Sequence, residues 1–309
     1  KGAIVYSITP HHTVRYGYNE AFQRPNYSEL FLAAPAGAPA NLAGIAATIP
    51  AAAPLAPTLA QLGFGPLPIL ARGNDSLLVE KVKSHEVGYS GIFAGKVFVT
   101  LDLYQSSMSD FVTDLLPGVN PAFQPYTVPS SVPAPVAGGI MQFLGQALGP
   151  NFAGLTTVNG QPALVLSYIN AGEVDTNGGE IAVNYYVTNN WLVDFNYSKF
   201  DFDVKSQRLG DRLLPNAPSD KWNAGLAWRG QTFDAKLSYR WVDAFDWAAG
   251  VFVGHVPQYE VVNLSANYRI SDLIGFGVDV SNLLDNEHWE TFGGDMLQRR
   301  ALAFVSLNW

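Results

Sequence analysis

Residues that could do covalent or metal chemistry are few in this chain. The segment DTNGGE at 175–180 gathers carboxylates, an amide and two glycines, in the manner of an oxygen-rich calcium loop. It lacks the twelve-residue spacing and the bidentate glutamate of an EF-hand, so a glycine-bearing bulge in a bent strand is the expectation there. His11 and His12 sit in what reads as a tight turn, and His85, His255 and His288 are scattered. None has a partner at metal-ligand spacing. Neither a GxSxG elbow nor a phosphate-binding loop occurs. Absence of cysteine excludes disulfides and thiolate metal sites. No catalytic residue, metal or cofactor is assigned, and the chain reads as something other than an enzyme. A net charge of −8 and a pI near 5.0 argue against a nucleic-acid partner.

Two sets of residues carry recognition chemistry instead. Arg15, Asp102, Asp194, Asp234, Lys236, Arg240, Asn263 and Arg269 stand on the polar side of alternating segments. They fit a solvated wall or the lining of a watery lumen. The second set, Tyr126, Phe245, Trp247 and Trp289, falls in connecting segments, where rings stack on a ligand or on one another.

The elements that position both sets are strands. In KVFVTLDLY, Val97, Val99, Leu101 and Leu103 share one face and Thr100 and Asp102 the other. TFDAKLSYRWV, EVVNLSANYRI, WLVDFNYS and WNAGLAW alternate in the same way, and so does the closing run RRALAFVSLNW. A soluble sandwich with a buried face and a membrane barrel with a lipid face both satisfy this pattern. Strands of about ten residues suit a tilted bilayer crossing. The apolar rows are bracketed by rings, Trp222 with Trp228 and Phe233 with Tyr239 and Trp241, as at two lipid–water interfaces.

Connections favour the barrel. Short ones at 9–12, 94–95, 188–190, 229–231 and 270–272 alternate with long ones near 23–79, 107–163, 204–218, 247–256 and 285–297. A membrane barrel sorts its loops this way and a sandwich has no reason to. The first two long loops are rich in alanine and proline and nearly without charge, too apolar for ordinary solvated disorder. They are expected to fold over a barrel mouth or meet a partner or ligand, with a short helix in AGGIMQFLGQALG. The expected strands lie at 1–8, 12–21, 80–93, 96–112, 164–187 (long and bent), 191–203, 219–229, 232–246, 257–270, 273–284 and 298–309. That is about eleven, an odd number, whereas single-chain bacterial barrels have even counts. The expectation is therefore a portion of a larger barrel.

Five stretches, in order, resemble the TonB-dependent outer-membrane receptor family. YGYNEAFQRPNYSELF (16–31) is similar to its aromatic strand followed by Phe-Arg-x-Pro-Ser and Glu-Leu, with Arg24 one place late, directly before Pro25. GNDSLLVEKVKSHEVGYSG (73–91) keeps Glu80, Glu86, Gly88 and Tyr89 of the family's pattern, with Val79 in place of proline. YINAGEVDTNGGEIAVNY (168–185), VSNLLDNEHW (280–289) and RRALAFVSLNW resemble three further segments, although the family more often ends in Phe than in Trp.

The resemblance implies an all-β fold, a transmembrane antiparallel β-barrel in the bacterial outer membrane. Residues 1–309 would be the C-terminal part, about eleven of 22 strands, with the plug domain absent from this chain. Trp309 would belong to the periplasmic aromatic girdle and to the signal read by the assembly machinery. The polar-face residues would meet the plug, and the loop aromatics a small-molecule ligand. Implied partners are the TonB complex, the plug and outer-membrane lipid. The implied function is energy-coupled uptake of a ferric siderophore, cobalamin or a carbohydrate. A passive porin-type channel and a soluble β-rich binding protein are the alternatives.

Overall fold

The computed structural model describes residues 1–249 and 252–307. Its period-two segments pair in sequence order into one antiparallel sheet of eleven strands. These are β1 (Gly2–Thr9), β2 (His12–Gln23), β3 (Glu80–Phe93), β4 (Val97–Val112), β5 (Asn170–Tyr186) and β6 (Trp191–Ser206). β7 (Asp220–Arg229), β8 (Phe233–Val242), β9 (Tyr259–Arg269), β10 (Ile274–Ser281) and β11 (Arg300–Leu307) complete it. Turns at one end are tight: Ala94 (φ 49°) and Gly95 (φ 63°) are both left-handed, as a two-residue hairpin turn requires. All the long connections leave from the other end.

Register puts side chains of one kind on each face. Arg15, Gly88, Asp102, Glu180, Ser198 and Lys221 form one continuous row. The opposite face is apolar, with Leu237 set between Leu226 and Leu264, and Val99 between Gly91 and Val183. Leu237 is 45% exposed and Leu226 44%, so no second protein layer covers this band. A bare row of this kind is what hydrocarbon contact demands. Rings bracket it. Trp191 meets Trp228 edge-on at 5.0 Å toward the tight turns, and Trp222 meets Tyr239 at 4.9 Å toward the long loops. At the latter end Tyr18 donates to Glu20 at 2.5 Å, Tyr197 to Asp220, and Tyr239 to Glu260. Each ring thus keeps its body in an apolar belt and its hydroxyl on a polar partner.

Three expectations are corrected. The long strand at 164–187 is two strands: Gln161–Ser167 belongs to a separate sheet, and the wall strand begins at Asn170. Gln161–Ser167 is buried on both faces, which a half-exposed wall strand cannot be. The expected strand 232–246 stops at Val242, and Phe245–Ala249 pairs instead with Phe252–Val256 in a hairpin of its own. DTNGGE holds regular register on both sides, and the irregularities fall earlier, between Asn170 and Val174. Its glycines serve close packing: a Cβ on Gly178 would strike the Tyr104 phenol, and one on Gly179 would lie 2.7 Å from Leu103 Cδ2.

The two apolar loops fold together into a cap. Ala33–Pro35, Ile69–Arg72, Leu116–Pro117, Leu155–Val158 and Gln161–Ser167 form a five-stranded sheet. In it Ile69–Ala71 runs parallel to Leu164–Leu166, joining one loop to the other. Helices Leu42–Thr48 and Ala56–Gln61 from the first loop pack near helix Ala134–Leu148 from the second, which contains most of the segment expected to be helical. Phe64, Leu59, Leu67, Ile140 and Leu144 are fully buried at its centre. Among the described residues this is the largest hydrophobic core, and no wall residue belongs to it.

Candidate functional site

The eight polar residues singled out by alternation all project from the same face of the wall. Arg15 on β2 reaches Glu86 on β3 at 2.5 Å and Asp102 on β4 at 2.7 Å, crossing two strand gaps. Lys236 on β8 pairs with Asp194 on β6 across Gly225, which has no side chain to obstruct them. Asp234 accepts from Asn267 at 3.0 Å, and Arg269 donates to the Gln231 carbonyl at 3.2 Å. Asn263 accepts from the Asn282 amide at 3.0 Å. Most of these groups are part-exposed, so each pair contributes about 0–1 kcal/mol. Their value is positional: Arg15 and Lys236 are already held by carboxylates of this face, while Arg269 bonds a backbone carbonyl.

Arg240 sits at the loop end of the same face. Its guanidinium pairs with Glu290 and lies 5.5 Å from the Tyr259 ring centroid. His288 stacks on Tyr259 at 4.5 Å and is almost wholly buried. Its Nδ1 lies 2.8 Å from the Asn286 carbonyl, which can only accept, so Nδ1 is the donor there, and Nε2 lies 3.6 Å from the Glu290 carboxylate. Alternation gave no hint of Glu290 or His288, because both lie in the last loop.

Four of the five segments that carried the family resemblance hold fasteners at the rim where loops leave the wall. Asn26 and Glu29 form a reciprocal cap on helix Tyr27–Phe31. Asn74 donates to the Tyr168 carbonyl at 2.9 Å. Asn170 accepts from the Leu78 amide at 2.7 Å and donates to the Asp110 carbonyl at 2.6 Å. Asn120 donates to the Gly73 carbonyl at 2.8 Å and to Ser167 at 2.9 Å. Asn282, in the left-handed conformation, exchanges two hydrogen bonds with Asn286, and Asp285 accepts from the Arg299 amide at 2.7 Å. Buried backbone groups must be satisfied where strands end, and amide side chains do so without bringing in charge. Asp211, in the loop between β6 and β7, accepts from the Asp114 amide at 3.3 Å, and burial pushes its carboxyl above the usual range.

The four loop aromatics do not form one site. Tyr126 lies in the cap core, 7% exposed, edge-on to Phe64 at 5.2 Å, and offers no ring face to a ligand. Phe245 packs on Val242, Tyr259 and Val261, with Trp247 at 6.4 Å from it. Trp247 lines a cleft of about 620 Å³ with Val204, Arg212, Leu213 and His255. Trp289 is 37% exposed in the last loop. Trp309 lies outside the described residues. Among those described, no cluster of three or more His, Cys, Asp or Glu side chains could hold a metal ion. No helix is long and apolar enough to cross a membrane, which has no bearing on strands.

Comparison with known proteins bears on the wall. Residues 1–283 match the family described as TonB dependent receptor-like, beta-barrel. No curated protein matches by sequence. Among solved structures, the copper transporter OprC is similar at TM-score 0.60 and 14% identity over 99% of this chain. The ferric enterobactin receptor of Pseudomonas aeruginosa gives the same values. The ferric-catecholate import receptor Fiu of Escherichia coli K12 gives 0.58 and 14% over 99%. This chain spans 39% of the first two and 34% of the third. At such identity the likeness is one of fold.

Proposed function

We infer the function from one premise: the chain belongs to the TonB dependent receptor-like β-barrel family. That is a family of bacterial outer-membrane transporters, not of enzymes, and the eleven strands are part of such a barrel's wall. The chain acts as the C-terminal part of a receptor for energy-coupled uptake of a scarce small molecule. The ferric siderophore, cobalamin and carbohydrate classes are all compatible with the family. The polar face of the wall lines the lumen and meets a plug domain carried elsewhere in the protein. TonB, driven by the proton gradient, displaces that plug. Phe245, Trp247 and Trp289 lie in extracellular loops on the ligand's route.

The observation that carries this reading is the family match over 1–283, joined to a wall with one bare apolar face and one ion-paired face. A test expresses the full-length receptor in a host lacking its own outer-membrane receptors and follows accumulation of candidate solutes. Uptake should stop when TonB is deleted or a protonophore collapses the gradient. Accumulation that survives both treatments would make the protein a passive channel and overturn the proposal.

A further inference from the structure

The cap differs from the rest of the molecule in charge. Between Leu32 and Ala71, and again between Leu115 and Gly172, there is no Asp, Glu, Lys, Arg or His. Those two spans supply the whole cap core. They also build a cleft of about 510 Å³, within the range of small-molecule sites. Ile45, Ile49 and Leu55 of the first loop form one side. Helix Ala134–Leu148 of the second loop forms the other with Gly139 and Phe143, while Gln142 and Gln146 lie one turn apart on its exposed face. Ile45 is 46% exposed and Ile49 42%, although the core beneath them is complete.

Gly139 is informative. A Cβ there would lie 3.5 Å from Leu55 Cδ1, an ordinary contact, so alanine would fit and would favour the helix by about 1 kcal/mol. Glycine leaves that side of the cleft bare, and Gly138 and Gly145 of the same helix also stand in open space.

Such a cleft selects by charge. An ion entering it sheds water and finds no opposite charge, a cost that nothing in either span offsets. A neutral molecule loses little, and the Gln142 and Gln146 amides supply donors and acceptors for one or two of its polar groups. We propose that this cleft binds an electrically neutral, largely apolar small molecule, and that it is the outer recognition site of the receptor. The inference rests on the uptake reading for its role in transport. It narrows the solute to an uncharged one and excludes anionic metal chelates as the cap's ligands.

The test uses full-length receptor in lipid nanodiscs and two fluorescent probes. Phenylnaphthylamine is neutral, and anilinonaphthalene sulfonate adds a sulfonate to the same ring system. Binding is read above matched empty nanodiscs. The neutral probe should bind about tenfold more tightly than the sulfonate, the scale of one unpaired polar or charged group. Gly139→Leu fills the cleft and should weaken the neutral probe by about tenfold. Gln146→Lys, at an exposed position that need not repack, should shift preference toward the sulfonate by a similar factor. Circular dichroism checks that Gly139→Leu keeps its helix; if it does not, the lysine variant decides. A preference for the sulfonate, no binding of either probe, or affinities that neither variant moves would overturn the proposal. So would light scattering that shows a dimer broken by Ile45→Glu, because a second copy would then occupy the cleft. Should the probes behave as expected while uptake ignores the proton gradient, the cleft stands and the transport reading fails.

Discussion

Truncating Phe64 to alanine should unfold the cap and leave the wall intact. Phe64 is fully buried, and the cluster around it draws on both long loops, with Leu59 and Leu67 from the first and Ile140, Leu144 and Tyr126 from the second. Phe→Ala in a close-packed core costs about 3–5 kcal/mol. The edge-on contact with Tyr126 at 5.2 Å is lost as well, which places this site toward the upper end. No wall residue belongs to that cluster, so the loss has no direct route into β1–β11. Hydrogen exchange of the full receptor in nanodiscs reads this out. A loss of about 3 kcal/mol accelerates cap amides roughly a hundredfold where they exchange through cap opening. Amides of β5–β8 should hold their rates. If wall amides accelerate in step with the cap, the two are one cooperative unit and the reasoning fails. A companion substitution has the opposite sign. The Tyr126 hydroxyl is buried without a hydrogen-bond partner, and burial raises its pKa. Tyr126→Phe removes an unsatisfied group and should be neutral or stabilise the cap by up to about 1 kcal/mol. Clear destabilisation would mean the hydroxyl has a partner.

On the wall, Leu237→Arg puts a charge in the middle of the apolar band and should cost about 2–4 kcal/mol, blocking assembly, whereas Ser238→Arg one residue on should still assemble. Heat-modifiable gel migration separates the two, and equal outcomes would refute the assignment of faces. Gly178→Val drives a side chain into the Tyr104 phenol and to within 2.8 Å of the Lys199 carbonyl, and should cost about 1–3 kcal/mol as lowered assembled yield; unchanged yield would show that β4 and β6 can give way. Burial raises Asp211's folded pKa, so its ionisation penalty is absent below the unfolded carboxylate pKa, grows as pH rises through the gap, and is complete above the folded value. Protection of the loop between β6 and β7 should therefore fall across that window in wild type and stay flat in Asp211→Asn, and exchange profiles at several pH values decide it.

The wall was legible because its physics is local. Lipid on one side and polar surroundings on the other impose a period of two, and each strand's partner is its neighbour in sequence, so counting alternating runs gives both number and order. The cap obeys neither rule. Its central pairing joins Ile69–Ala71 to Leu164–Leu166 across two wall strands, and no period in either segment encodes that partner. PALVLS at 162–167 is a nearly unbroken apolar run, the mark of a strand buried on both faces, and it marks where the chain leaves the wall. Tyr126 takes the second of the two roles open to a loop ring, packing edge-on to Phe64. A tyrosine in a long loop looks available to a ligand until the loop proves to have its own core.

The proposed neutral solute also fits the distribution of charge. Since the cap spans carry none, the whole net charge of −8 lies outside them. An anion approaching this wall meets a net repulsive field. Two of the cations that could capture it, Arg15 and Lys236, are already held by Glu86, Asp102 and Asp194. Pulling an anion past them would mean breaking those pairs and leaving carboxylates unmatched. A neutral molecule disturbs none of them. On the proposed route it would leave an uncharged cleft and cross a face on which Arg15 and Lys236 are already paired. Tight capture outside and weak holding within are opposing demands on a transporter. In the proposed receptor they would fall to separate parts of the chain, an uncharged cap with a folded core and a partly ion-paired wall.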